Sequence, residues 1–209
     1  MRRSEREFQG MSRLEALAAV SALIVIGVVG RTLPHIPNFA PITASALFCG
    51  AYISGRYSIP VVFVILALGD YIMLYVNPFG STNFDRVYAP WDICYSSIVY
   101  VYLSFGISAL VGWYVKSRRQ PGLVVLAALF CSVQFFLITN AGVWLAGAYD
   151  RGLDGLMQSY TAGLPFFRGT VMGDLFYTAV FFGSYELTKW AGGLVERHRA
   201  SGGVAARGA

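Results

Sequence analysis

Two carboxylates stand where a carboxylate is costly. Asp70 and Asp174 each fall inside an apolar run of the chain, and near the middle of a bilayer each would cost roughly 2.5–3.5 kcal/mol on insertion scales. Each lies about four to six residues from one end of its run, roughly 6–9 Å in at 1.5 Å per residue. Asn140 lies slightly deeper in a third run. Three polar groups near one level describe a shared floor able to bind a solute or pass a proton. The plainer reading is hydrogen bonding between helices, worth about 0.6 kcal/mol per bond. No His accompanies them within the runs.

Four more residue types carry chemistry near that level. Cys94 sits between Asp92 and Tyr95 at the start of a run, whereas Cys49 and Cys131 fall mid-run, where a thiol acts as a small hydrophobe. A thiol at an aqueous mouth can ionise and ligate a soft metal. His35 is bracketed by Pro34 and Pro37, which favour an extended, stiff segment. Arg168, in Leu164-Pro-Phe-Phe-Arg168, could meet an anionic group, snorkel to lipid headgroups or pair with Asp85 or Asp92. Tyr75, Tyr88, Trp91, Tyr95, Tyr100, Trp144, Tyr149 and Tyr160 crowd the same side. They read as an interfacial aromatic belt, or as walls for a large planar ligand.

Positioning these groups falls to six apolar runs near bilayer length: Leu14–Gly30, Ile42–Ser54, Ile59–Val76, Ile93–Val115, Gly122–Ala148 and Thr170–Trp190. The second is short and opens behind Pro41. The runs are continuous rather than alternating, which excludes barrel strands. No A-x-A cleavage site follows the first run, so an uncleaved helix is expected there. With the N-terminus cytoplasmic, twelve of the 16 Lys and Arg fall on the inner side, and Arg31, Arg86, Arg151 and Arg168 outside. That split obeys the positive-inside rule and places both termini in the cytoplasm. The outer connections are long, at 31–41, 77–92 and 149–169, and long loops commonly carry function. The expected organisation is a cytoplasmic segment 1–13, a six-helix membrane domain 14–190 and a disordered cytoplasmic tail 191–209.

Composition agrees. Of 209 residues, 56% are hydrophobic and 13% charged, against about 25% charged in soluble domains, and mean hydropathy is +0.56. Disordered, collagenous and coiled-coil classes are excluded. The net charge of +5 reflects retained cytoplasmic Lys and Arg rather than nucleic-acid binding. Three cysteines make no disulfide framework, and CxxC, HExxH, Walker A, GxSxG and Rossmann patterns are absent from the sequence.

Three blocks carry a resemblance: Arg31-Thr-Leu-Pro-His-Ile-Pro-Asn-Phe-Ala-Pro, Ile138-Thr-Asn-Ala-Gly-Val-Trp, and Leu164-Pro-Phe-Phe-Arg-Gly-Thr-Val-Met-Gly-Asp-Leu-Phe-Tyr. They resemble a family of six-helix bacterial membrane proteins of largely uncharacterised function. Within that neighbourhood the chain is similar to the solitary cobalamin-uptake proteins (BtuM-like), which resemble the substrate-binding S components of energy-coupling-factor transporters. The resemblance implies an S-component-like bundle in the bacterial inner membrane. It implies cobalamin as ligand, with Cys94 on cobalt and His35, an Asp, a Tyr and Arg168 around it. The Tyr is Tyr95 or Tyr100, and the acid Asp70, Asp85 or Asp92. It also implies docking of a coupling complex through the small-residue step Ala18-xxx-Ala22.

The expectation is therefore an all-α membrane protein that binds and takes up cobalamin, with no intrinsic cofactor and no nucleic-acid partner. Its site residues are His35, Asp70, Asp85, Tyr95, Tyr100, Asn140, Arg168 and Asp174, with Cys94 as metal ligand. The alternatives are the same fold carrying another small molecule, or a membrane enzyme using Cys94 and His35. The enzyme reading lacks a base placed beside the thiol by sequence spacing.

Overall fold

Helix α2, Ile42–Tyr52, is buried along all eleven of its residues. Its sequence, Ile-Thr-Ala-Ser-Ala-Leu-Phe-Cys-Gly-Ala-Tyr, has no charged group and no polar face, the pattern of a helix apolar all round that must be covered on every side. Five other helices cover it: α1 Arg13–Thr32, α3 Gly55–Met73, α4 Ile98–Val115, α5 Pro121–Leu145 and α6 Leu153–Ala205. The structure, a computed structural model, describes residues 13–33, 36–53, 55–76, 87–118 and 120–205. Among them it is all-helical, with one turn of 3-10 helix at Pro90–Ile93.

The tightest crossing joins α2 to α4. A side chain on Gly50 would strike the Ala109 carbonyl, and one on Gly112 would strike the Leu47 carbonyl. Each glycine admits the other helix's backbone, the close approach that small residues permit between membrane helices. Ser45, Ala46 and Cys49 on α2 and Ser108 and Ala109 on α4 are buried beside it. Around Phe48 and Tyr52, the rings of Phe181, Phe182 and Tyr185 tie α2 to α6 with centroids 4.2–6.3 Å apart.

The outside of the bundle is apolar. Leu14, Leu17, Val99, Leu103, Leu126 and Phe130 are all more than half exposed, a surface that water does not tolerate over this extent. Helices α1 (Leu14–Thr32), α4 and α5 are long and apolar enough to cross a membrane, while Ile42–Tyr52 and Tyr57–Met73 are shorter apolar helices.

Three expectations are corrected. The stretch 149–169 is not a loop throughout, because α6 begins at Leu153 and runs without interruption past Pro165. Its first turns are held by α5, with Ser159 Oγ donating to the Asn140 carbonyl at 2.8 Å and Tyr160 Oη to the Leu137 carbonyl at 2.9 Å. Arg168 therefore stands inside a helix rather than opening one. The second apolar run stops at Tyr52, short of Ser54, and residues 191–205, where composition predicts a disordered tail, continue α6.

The crossing generates a prediction. Gly50→Val or Gly112→Val should destabilise the protein by about 1–3 kcal/mol or more through overpacking against backbone. Gly183→Ala, where a methyl meets open space, should be neutral or stabilise by up to about 1 kcal/mol. Thermal unfolding in detergent, followed by circular dichroism, checks both; equal midpoints for all three variants would refute the crossing.

Candidate functional site

The C-terminal ends of α1, α3 and α5, the N-terminal ends of α2 and α4, and the middle of α6 meet at one end of the bundle. Here lies a largely buried ion pair. Arg31 Nη2 is 2.6 Å from Asp70 Oδ1, with side-chain exposures of 17% and 7%. The Arg31 stem runs across Gly69, and its Nη1 donates to the Leu66 carbonyl at 3.4 Å. Tyr102 Oη donates to Asp70 Oδ2 at 3.1 Å. Asp70 thus has a cation on one oxygen and a phenol on the other, the complete partnering that a buried carboxylate needs.

Asp174 is held differently. It is 1% exposed, receives Ser132 Oγ from α5 at 2.7 Å and is hydrogen-bonded by Thr43 from α2. Among the described residues it has no ion-pair partner. Its partners are hydroxyls alone.

Asp174 borders a cavity of about 220 Å³, which Arg31, Thr43, Tyr95, Phe105 and Phe135 help to line; Asp70 reaches it only through its partner Arg31. A second cavity of about 160 Å³ shares Asn38, Phe135 and Thr170 with it and adds Asn140, Phe136 and Phe167. Asn38 borders both with φ of 61°, a left-handed conformation that Asn tolerates better than most residues. Its segment lies on α6, with the Pro37 carbonyl over Gly169 and the Phe39 Cα over Gly173, where a side chain would collide or crowd. The segment is therefore pressed into the bundle rather than standing clear of it.

Residues 87–97, the strap that leads into α4, are clasped to the end of α3. Tyr75 Oη accepts the Tyr88 amide at 3.1 Å, Tyr71 Oη donates to the Tyr88 carbonyl at 3.2 Å, and the two phenols are 3.3 Å apart. Asp92 Oδ2 accepts the Ala89 amide at 2.8 Å and so holds the single 3-10 turn. From this clasp Tyr95 reaches the cavity. Burial first, then the Asp70 charge, opposed by Arg31, push its phenol up to about 12, so it stays a neutral hydrogen-bond donor at physiological pH.

Of the residues expected from sequence, Tyr95 and Asp174 line the cavity with Arg31, Asp70 pairs with Arg31 behind it, and Asn140 lines the adjoining cavity, its Nδ2 donating to the Phe136 carbonyl at 2.8 Å. Tyr100 instead packs its ring on Gly142 and serves the α4–α5 contact. Cys94 is exposed, and neither it nor Arg168, also exposed, lines either cavity. His35 and Asp85 lie outside the described residues. No group of three or more His, Cys, Asp and Glu able to hold a metal ion occurs among the described residues. Sequence reasoning missed Arg31, Tyr102, Thr43 and Ser132. Arg31 had a readable signal, because it follows one apolar run at the same end of the bundle toward which Asp70 lies in another. The three hydroxyls had none.

The chain belongs to a family of unknown function, DUF6580, whose model matches residues 11–193. No curated protein and no solved structure matches it.

The ion pair is testable by a double-mutant cycle. Arg31→Met leaves the Asp70 charge buried without its cation and should cost about 3–5 kcal/mol, whereas Arg31→Met with Asp70→Leu should recover most of that loss. Unfolding midpoints in detergent measure the cycle, and additive losses would show that the two groups are not coupled.

Proposed function

We propose that this member of a family of unknown function is a membrane-embedded binding and uptake protein that receives a small molecule in the chamber at the Arg31 end of the bundle. One observation carries the reading: an intramembrane carboxylate, Asp174, and an arginine, Arg31, itself ion-paired to a second carboxylate, Asp70, border a single cavity. Ionisable groups at membrane depth mark binding sites and pathways more often than scaffolding. The charge distribution of the sequence supports six spans, both termini cytoplasmic and the chamber outward, as in a bacterial inner-membrane protein.

The cavity of about 220 Å³ falls below the roughly 300–1,000 Å³ of drug-sized pockets, which favours a metabolite-sized solute. A second reading, cobalamin, has Cys94 in its favour. The thiol is exposed on the strap, one residue before Tyr95, where an axial cobalt ligand would need to be. A corrin exceeds the cavity and would sit above the strap rather than beneath it. The small-residue step Ala18-xxx-Ala22 is exposed on α1 and is the face on which a coupling complex would dock.

Two experiments separate these readings. Thr170 borders both cavities, so Thr170→Trp should fill the chamber; native mass spectrometry of detergent-purified protein should then lose a small-molecule adduct that wild type carries, with helix content unchanged. Wild type without any adduct, even when loaded with cell extract, would refute the chamber. For the second reading, protein grown with cobalamin should show a corrin absorption band that shifts or disappears in Cys94→Ala. A band untouched by the substitution removes the thiol from cobalt, and no band at saturating supply removes cobalamin.

A further inference from the structure

The two buried carboxylates are not equivalent, because only Asp174 lines the chamber, and the difference selects a ligand. Arg31 is the cation that lines the cavity, and its guanidinium is drawn onto Asp70 at 2.6 Å. That pair is complete, with Tyr102 on the remaining oxygen. Asp174 lines the same cavity, is 1% exposed and, among the described residues, meets Ser132 and Thr43 with no cation beside it. The Asp174 carboxyl is therefore the chamber group without a counter-charge. A buried carboxylate gains most from a cation brought against it, because the surrounding low dielectric strengthens the attraction. The nearby walls are aromatic. Phe105 and Phe135, 5.0 Å apart at their ring centroids, line the cavity with Tyr95, and the faces of such rings attract cations.

Resting on the chamber reading above, we propose that the ligand class is a small organic cation, an ammonium group seated between the Asp174 carboxylate and the Phe105–Phe135 wall. Arg31 and Asp70 then serve as a closed pair that shapes the chamber and leaves Asp174 as its one open charge. An anionic solute is disfavoured, since it would have to draw Arg31 away from Asp70 and leave two carboxylates uncompensated. A neutral solute of the same shape would use the walls but not the charge.

The test uses the full chain in detergent and a size series of cations: ammonium, methylammonium, tetramethylammonium and choline. The neutral isostere 3,3-dimethylbutan-1-ol and acetate are the controls. Ligand-induced rise of the unfolding midpoint gives apparent affinity. The expected result is stabilisation by at least one cation with affinity at least about tenfold above its neutral isostere. That difference should be lost in Asp174→Asn and reduced in Phe135→Leu. Because the cation-to-isostere comparison is made on wild type, it holds even if Asp174→Asn fails to fold. Equal response to the neutral probe, or preference for acetate, overturns the cation assignment while leaving the chamber in place. Silence across the whole series, in a protein that also carries no small-molecule adduct, overturns both.

Discussion

A helix enclosed on every side can hold only what its neighbours leave room for, and α2 sets the terms for the whole bundle. Gly50 and Gly112 let α2 and α4 touch backbone to backbone, and from that contact the remaining helices close around α2. Among membrane helices the surrounding lipid is as apolar as Leu, so burial of apolar side chains alone does not drive association. Fit and interhelical hydrogen bonds must do so. The buried polar set is consistent with that: Gln134 Nε2 of α5 donates to the Ser104 carbonyl at 3.0 Å and to Ser108 Oγ at 3.1 Å on α4. The same helix that fixes the packing also creates the chamber. Eleven residues give α2 a length of about 16 Å, roughly half the apolar thickness of a bilayer. Its missing turns are replaced by segment 36–40, which reaches down to lie on Gly169 and Gly173 of α6. The space beside that segment, floored by Ile42 and Thr43, is the cavity.

Two carboxylates at similar depth received opposite treatment, and the reason lies in which helices face them. Asp70, in the last turns of α3, looks toward α1, whose own last turn carries Arg31. Asp174, on α6, looks toward α2 and α5, neither of which carries a charged residue along its helix. Hydroxyls are the strongest donors those helices offer it. Asp70 therefore belongs to the frame that positions the chamber, and Asp174 to the chamber's interior.

Much of this was legible in the residues. Continuous apolar runs announced the helices, and the helix boundaries fall within a few residues of the runs for α1 and α5, whereas α4 starts at Ile98, five residues into its run. Asp70, Asp174 and Asn140 were readable as members of one polar level because an ionisable or amide group inside an apolar run is conspicuous. Three features were not legible. Helix 153–169 hides in a stretch with Gly155, Gly163 and Pro165 that local propensity assigns to a loop; it is helical because Ser159 and Tyr160 are anchored on α5, a tertiary contact with no local signature. Tyr100 and Tyr95 look alike in sequence, yet one fills the α4–α5 contact and the other lines the cavity. Thr43 and Ser132 acquire meaning only through the carboxylate they face.

The strap between α3 and α4 separates two regions that the sequence presents as one. Cys94 and Tyr95 are adjacent, so any reading by spacing places them in the same site. The clasp of Tyr71, Tyr75 and Tyr88 fixes the strap on α3, and from that fixed position Tyr95 lines the chamber while Cys94 is exposed and lines neither cavity. The thiol and the Asp174 carboxyl therefore do not share a cavity. Spacing along the chain does not decide which of two adjacent residues enters a cavity; the clasp on α3 does.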